Sequence, residues 1–267
     1  MSEAYDAIVI GSGLGGLTAG ALAAKQGRKV LVLERNDEFG GAASTFRRDG
    51  LTIEASLHQL DGLDEADHKT ALFAELGLND RMTTVPIPEL HEVRSKHLGA
   101  PFVLPSGVEA VKEAVGARFP DHRRPAGEFV DLLCDIRAAI NELGQQGAGS
   151  NWLSAALSNP MRFWSLARNR NATTAEVMDR FFGDEEALKL ALVPNMSYFT
   201  DDPARLWFPG FAVAQASYLI GGAHYIKGGS AELAKALVAV IEAHGGAAHT
   251  GRKVMQIFTE NGSVAGV

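Results

Sequence analysis

The feature that most constrains the fold is a glycine-rich segment close to the N-terminus. Residues 5–10 form a short β-rich run, and the sequence Gly-Ser-Gly-Leu-Gly-Gly follows it directly at 11–16. Small residues over 17–26 then predict a helix that ends at Gly27, because glycine favours the left-handed conformation after a helix. Residues 29–33 predict a second, buried strand, which ends at Glu34. This order of strand, GxGxxG, helix, strand and acid is typical of a dinucleotide-binding βαβ unit.

Each glycine of the motif has a separate physical role. Gly11 permits a tight turn, Gly13 lets the backbone approach a pyrophosphate, and Gly16 allows the helix to pack closely on the strand. Free amides and the positive dipole end at the helix N-terminus favour phosphate binding. Glu34 would accept hydrogen bonds from ribose hydroxyls and repel a 2′-phosphate. The candidate cofactor-binding residues of the loop are Gly11, Ser12, Gly13, Leu14, Gly15 and Gly16.

A second glycine pair follows the acid. Arg35 comes directly after Glu34, and Gly40-Gly41-Ala42-Ala43-Ser44 lies a few residues further on. An NAD-binding fold does not require this pair. The segment resembles an extension found in flavoproteins of the phytoene desaturase and amine oxidase superfamily, which passes along the FAD pyrophosphate and ribityl chain. The arginine that usually follows the glycine pair is Ala42 here, as in the phytoene desaturase, carotenoid isomerase and retinol saturase branch.

The resemblance implies FAD as the cofactor and adds further candidate residues. It places Arg35, Gly40, Gly41, Ala42 and Ser44 along the cofactor. It also places His58 near the isoalloxazine ring, although a structural role for this histidine is equally compatible with the sequence.

The end of the chain resembles the same branch. Tyr225-x-Lys227-Gly228-Gly229 leads into an apolar helix over 232–244, followed by strands at 247–250 and 253–259 and a turn at 260–263. In the family, the valine that matches Val254 meets the adenine through its backbone. We therefore predict an α/β protein with a Rossmann-like FAD-binding domain of the glutathione reductase type, formed by residues 1–85 and 225–267 and incomplete.

Residues 86–224 predict a mainly helical substrate or cap domain, also incomplete. Pro86 and Pro88 mark its start. The pattern at 106–109 predicts a helix that starts with a capping box, and residues 173–176 predict the start of another helix. Residues 206–226 carry no charge, but their glycines and proline favour a buried segment over a membrane-spanning helix. Residues 151–171 combine Trp152, Met161, Phe163 and Trp164 with arginines, so both core packing and contact with a membrane surface stay open.

Composition excludes several classes of function. The net charge is −7 and there is no basic run, which excludes an electrostatic nucleic-acid site. A single cysteine, Cys134, excludes a disulfide framework within the chain. The N-terminus lacks the basic region of a signal peptide, which favours a cytoplasmic protein, with peripheral membrane contact left open. The sequence predicts no catalytic constellation and no metal site, as in flavoenzymes whose cofactor performs the redox step.

The resemblance implies an FAD-dependent oxidoreductase (a desaturase, saturase or isomerase) that acts on an apolar, polyene-like substrate. In the family, the chain continues with more substrate domain and a glycine-containing motif that packs on the flavin, so we expect a missing C-terminal portion or a partner chain to be needed. One alternative is an amine oxidase-like or protoporphyrinogen oxidase-like flavoenzyme. Another is a non-catalytic half-subunit of a split, heterodimeric flavoprotein.

Overall fold

The computed structural model describes residues 4–145 and 159–267. The chain forms two compact units, one made of Met1–Leu60, Lys69–Val85 and Tyr225–Val267, the other of Asp61–His68 and Pro86–His224. Residues 61–68 thus belong to the second unit, whereas the sequence assigned them to the first domain. The physical reason is an ion pair within that unit, where the buried Arg137 lies 2.7 Å from the Asp64 carboxylate and 3.8 Å from that of Asp67.

The first unit is built on a parallel sheet of three strands. The strands are β1 (Ala7–Ile10), β2 (Val30–Leu33) and β10 (Ala247–His249), in the order β1-β2-β10. Helices α1 (Leu14–Lys25) and α9 (Ala231–Ala243) pack against each other at Gly20. A Cβ on Gly20 would lie 3.2 Å from Ile241 and 3.5 Å from Val30, so glycine permits this close approach. The Rossmann-like fold prediction is confirmed.

Two antiparallel hairpins complete the description of the first unit. One pairs β3 (Thr45–Arg48) with β4 (Leu51–Glu54), and the other pairs β11 (Phe258–Glu260) with β12 (Ser263–Gly266). Both turns have two positive-φ residues, and the second is the turn that the sequence predicted at 260–263. The strand predicted over 253–259 begins only at Phe258, because the Arg252 amide donates to the Glu34 carbonyl oxygen at 2.7 Å and holds the preceding chain at the end of β2.

Short strands cover the places where the chain passes from one unit to the other. They are β5 (Leu60–Asp61), β6 (Thr84–Ile87) and β9 (Ala223–Ile226). The helix α2 (His68–Leu76) starts at one such crossing and is followed by Gly77, which has a φ of 66°.

The second unit is mainly helical. Its antiparallel strands are β7 (Glu89–Val93) and β8 (Phe102–Pro105). Its helices are α3 (Val108–Arg118), α4 (Arg123–Gln145), α5 (Pro160–Asn169), α6 (Thr174–Phe182), α7 (Glu186–Leu192) and α8 (Phe208–Gly221), with 3₁₀ turns at Pro120–His122 and Pro194–Tyr198. Phe129 of α4 lies at the centre of the core, 5.2 Å from Phe182 and 6.1 Å from Phe208 between ring centroids.

Two sequence predictions about this unit have different outcomes. The capping box at 106–109 is wrong, since Gly107 is the N-cap of α3 and no side chain caps the helix. The start at 173–176 is a true capping box, in which Thr173 and Glu176 bond each other's backbone amides. The uncharged stretch 206–226 contains the buried 14-residue helix α8. Among the helices of the described residues, we find none that is long and apolar enough to cross a membrane.

Candidate dinucleotide-binding site

The glycine loop lies at the carboxyl end of the parallel sheet, where open α/β folds bind their ligands. Gly11 has a φ of 93°, which permits the turn from β1 into the loop, and its amide donates to the Leu33 carbonyl oxygen at 2.8 Å. Gly13 is the N-cap of α1, and the first helical hydrogen bond runs from Leu17 to Gly13 at 3.0 Å. The amides of residues 14–16 therefore precede the first helical bond and are available to an anion. No acidic side chain lies in this first turn.

The space around the loop distinguishes its glycines. A Cβ on Gly13 or Gly15 would meet no atom within 4 Å, so the space beside these positions is open. A Cβ on Gly16 would instead lie 2.6 Å from the Gly11 carbonyl oxygen and 3.1 Å from Val9. Gly16 thus permits the packing of helix on strand, while Gly13 and Gly15 leave room for a ligand against the backbone.

Glu34 is the charged centre of the site. Its side chain is buried, with 4% of the residue exposed. One carboxylate oxygen, Oε2, accepts hydrogen bonds from the Ser12 amide at 2.8 Å and the Ser12 hydroxyl at 2.7 Å, and Oε1 accepts one from the Asn36 amide at 2.9 Å. Burial alone would raise the pKa of Glu34, but these donors outweigh it, and the pKa lies below its ordinary value. The carboxylate is therefore ionised at neutral pH.

The second glycine pair lies directly against the first motif. The Gly40 amide donates to the Ser12 carbonyl oxygen at 3.0 Å, and Gly13 and Gly40 form an isolated parallel bridge. Gly41 has a φ of 61°, and a Cβ there would lie 3.1 Å from the Cα of Gly13. Two motifs separated in the sequence thus form one continuous backbone surface.

The segment after β10 closes the site around Glu34. The Glu34 amide donates to the His249 carbonyl oxygen at 2.8 Å, and the Gly251 amide donates to that of Asn36 at 2.9 Å. Val254, which is half-buried, lines a cleft of about 490 Å³ together with Leu33. Asn36 and Gly251 were not among the sequence candidates, because their contacts depend on β10 lying beside β2. A strand order predicted from the sequence would have indicated them.

The remaining candidates follow the second glycine pair or the acid. Arg35 and Ala42 are exposed. Ser44 is half-buried, and its carbonyl oxygen accepts a hydrogen bond from the Ala55 amide at 2.9 Å. His58 is exposed in the loop between β4 and β5, where its amide donates to the Ser56 carbonyl oxygen at 2.9 Å. Their roles toward a cofactor stay predictions.

Comparison with known proteins agrees with this geometry. A family model described as an NAD(P)-binding Rossmann-like domain matches residues 9–76. All-trans-retinol 13,14-reductase of Macaca fascicularis is 26% identical over 99% of this chain and 44% of its own length. Prolycopene isomerase of Daucus carota is 25% identical over 100% of this chain and 44% of its own. Phytoene desaturase (neurosporene-forming) of Cereibacter sphaeroides is 27% identical over 100% of this chain and 50% of its own length. The predicted family resemblance is confirmed.

Solved structures show the same fold. An oxidoreductase from Methanosarcina mazei matches with a TM-score of 0.60 and 20% identity, over 97% of this chain and 54% of that one. Putrescine oxidase bound to putrescine matches with a TM-score of 0.57 and 19% identity, over 92% of this chain and 51% of that one. The chain therefore spans about half the length of the relatives and structures that it matches.

Proposed function

We propose that this chain binds FAD and forms part of an oxidoreductase (a desaturase, saturase or isomerase) that acts on an apolar, polyene-like substrate. The observation that carries the proposal is the continuous surface formed by the two glycine motifs beside an ionised, buried Glu34. The printed names of the relatives, a retinol reductase, a prolycopene isomerase and a phytoene desaturase, support this class of substrate.

The residues of the site fit a dinucleotide. The open space beside Gly13 and Gly15 leaves room for a pyrophosphate against the backbone, and the amides of residues 14–16 would supply its donors. Glu34 would accept from the adenosine ribose, while Val254 lies on the segment that would meet the adenine. FAD supplies the redox chemistry when bound, and the residues of this chain bind and orient it. An amine oxidase-like enzyme would use the same site, so the substrate and not the cofactor distinguishes that alternative.

The sharpest test uses the open space beside Gly13. A Gly13→Ala variant fits its own backbone but places a methyl group where the pyrophosphate would lie, so FAD affinity should fall at least about tenfold with little loss of stability. Gly127→Ala in α4 is the matched control, since its Cβ also meets open space, and FAD affinity should not change. Isothermal titration calorimetry gives the affinities. A wild-type chain that does not bind FAD would overturn the proposal.

We further propose that FAD chemistry requires additional polypeptide, because the chain spans about half the length of its relatives. The proposal covers both a split, heterodimeric enzyme and a longer parent chain. Purification from a native host, followed by an absorption spectrum and intact masses, tests it. A flavin-containing complex with a second chain at fixed stoichiometry supports the heterodimer, and a longer single chain supports the other form. A 267-residue protein that is active alone contradicts both.

Exposed apolar side chains on α5 support a peripheral membrane contact. Met161 is 81% exposed and Trp164 is 69% exposed, with the exposed Arg168 and Arg170 nearby in the sequence. Trp152, which the sequence analysis grouped with them, lies outside the described residues. Flotation with anionic and neutral phospholipid vesicles tests the contact. Trp164→Ala should weaken binding to anionic vesicles, whereas Val264→Ala, at an exposed position of β12, should not.

A further inference from the structure

The helical unit contains an apolar groove that is lined by α4, α5 and Trp207. We propose that this groove binds a free long-chain carboxylate, with the hydrocarbon chain along α5 and the carboxylate on Arg170. The inference goes beyond the proposed function and does not depend on FAD binding, because all of its residues belong to the second unit.

The groove has the size and the lining of a small-molecule site. Its volume is about 650 Å³, within the range of roughly 300–1,000 Å³ that is usual for ligand pockets. Ile140 and Leu143 of α4 line it, together with Phe163 and Leu166 of α5. These four residues are half-buried, and Ile140 and Leu166 also pack against the core. A hydrocarbon chain in the groove would therefore bury apolar surface against side chains that are already held in place.

Trp207 forms a fixed wall of the groove. Its indole nitrogen donates to the Arg170 carbonyl oxygen at 2.7 Å, and its backbone forms an isolated antiparallel bridge with Thr173. A Cβ on Gly210 would lie 3.0 Å from the indole ring, so glycine at this position leaves room for the ring. The ring is held in this way while Trp207 stays 53% exposed. The wall is thus formed before a ligand binds, which lowers the entropic cost of binding.

Arg170 gives the groove its charge. It is the only charged residue among the described residues that line the groove, and it lies at the end of α5 opposite to Pro160. Arg170 is exposed, and within residues 4–145 and 159–267 no ion pair joins it to an acid. Asp135 pairs with Arg162 at 3.6 Å and lines a separate cleft. Because a guanidinium can bind a carboxylate through two parallel hydrogen bonds, Arg170 fits an anionic head on an apolar chain.

The size of the groove distinguishes a single chain from larger occupants. An α-helix with its side chains is about 10–12 Å across, so a helix of a partner protein would need a wider surface. A membrane surface would instead meet the exposed Met161, which does not line the groove. The half-buried lining and the single cation favour one hydrocarbon chain with one anionic group.

The first test is isothermal titration calorimetry of the full chain with dodecanoate. The titration is done below the micelle concentration and at about pH 8, where the carboxylate is ionised. We expect saturable binding of one molecule per chain. A wild-type chain that does not bind dodecanoate, or that binds it without saturation, would overturn the inference, whatever its affinity for FAD.

A filled groove tests where the chain binds. Ala167 is exposed and lines the groove, so Ala167→Phe should place a ring where the hydrocarbon chain would lie. The affinities for dodecanoate and for the uncharged dodecanol should both fall at least about tenfold. Ala110→Phe, at an exposed alanine of α3, is the matched control and should keep both within about threefold of the wild type. Unchanged dodecanoate binding by a folded Ala167→Phe protein would contradict the assignment to this groove.

Arg170→Gln tests the recognition of the carboxylate. The affinity for dodecanoate should fall at least about tenfold, while that for dodecanol should stay within about threefold. Arg168→Gln is the control, because Arg168 is exposed on the same helix but lines the other cleft, and neither affinity should change. Equal losses for both ligands, or a loss for neither, would show that Arg170 does not bind the carboxylate. If Arg170→Gln and Ala167→Phe abolish flotation with phosphatidylglycerol vesicles but leave dodecanoate binding unchanged, the groove belongs to a membrane contact and the inference is wrong.

Discussion

At the scale of single residues, the two neighbouring glycines of α1 should respond oppositely to the same substitution. A Cβ on Gly16 would lie 2.6 Å from the Gly11 carbonyl oxygen, which is backbone and cannot move aside, whereas a Cβ on Gly15 meets open space. We expect Gly16→Ala to lower the free energy of unfolding by about 1–3 kcal/mol. Gly15→Ala should leave it unchanged or raise it by up to about 1 kcal/mol. Urea unfolding measures both, and equal stabilities would contradict the packing role of Gly16.

The ionisation of Glu34 gives a prediction about pH. Its donors outweigh burial and place its pKa in the folded protein below the ordinary value of 4.5. A lowered folded pKa means that the stabilisation is fully present above pH 4.5 and is lost as the pH falls through the folded value. The adjoining segments carry the charged side chains of Arg35, Asp37, Glu38, Arg252 and Lys253 and the imidazole of His249.

The measurement compares the wild type with Glu34→Gln, which keeps the shape of the side chain but not its charge. The difference in free energy of unfolding should be constant from pH 7 to about pH 5 and should decrease below it. Arg252→Gln, which keeps the backbone contact of Arg252 with Glu34, serves as the control and should not produce this acid-side loss. A wild-type advantage that instead grows on acidification would contradict the assignment.

Much of the site could be predicted from the sequence at this scale. The loop glycines and Glu34 are separated by local elements of known length, so the motif itself indicates that they share one end of the sheet. The bonds of Glu34 with Ser12 and Asn36 could not be predicted, because they depend on rotamers and on the close approach of three loops. The contact of Gly251 with Asn36 required knowledge that β10 lies beside β2.

At the scale of elements, the N-termini of α3 and α6 can be compared as a matched pair. In each, a serine or threonine precedes a glutamate by three residues (Ser106 and Glu109, Thr173 and Glu176). Thr173 accepts a hydrogen bond from the Glu176 amide at 3.2 Å, and its own amide donates to the Glu176 carboxylate at 2.9 Å. Thr173→Ala should therefore lower the free energy of unfolding by about 1 kcal/mol. Ser106→Ala should change it by less than about 0.5 kcal/mol, because Gly107 caps α3. Circular dichroism during thermal and urea unfolding measures both, and a larger loss at Ser106 would contradict this assignment.

The N-termini of α3 and α6 also explain why the boundaries of helices and strands were harder to predict than their presence. Both segments have the spacing of a capping box, but Gly107 adopts a φ of 100° directly before α3 and takes the N-cap position itself. The strand expected from 253 shows the same limit. The apolar residues that predict it are a local signal, whereas the bond from the Arg252 amide to Glu34 that holds this chain at the sheet is long-range.

At the scale of the whole molecule, the ion pairs of Arg137 link residues 61–68 to α4 of the second unit. The prolines at 86 and 88 are a local signal in the sequence, and they predicted the boundary at residue 86. An arginine in α4 that pairs with Asp64 and Asp67, far away in the sequence, leaves no such local signal. Charged residues are almost never fully buried unless they are paired, so burial of Arg137 makes these contacts structurally necessary.

The division into two units predicts two unfolding transitions in scanning calorimetry, each with its own response. ADP should raise only the transition of the first unit, because it binds the folded glycine loop and not the unfolded chain. Arg137→Met should lower only the other transition, since it leaves the buried Asp67 and the partly buried Asp64 without this cation, at a cost of up to about 3–5 kcal/mol. Gly16→Ala should lower only the first. A single transition that responds to all three changes would mean that the units unfold together, and a nucleotide effect on the helical unit alone would contradict the site described here.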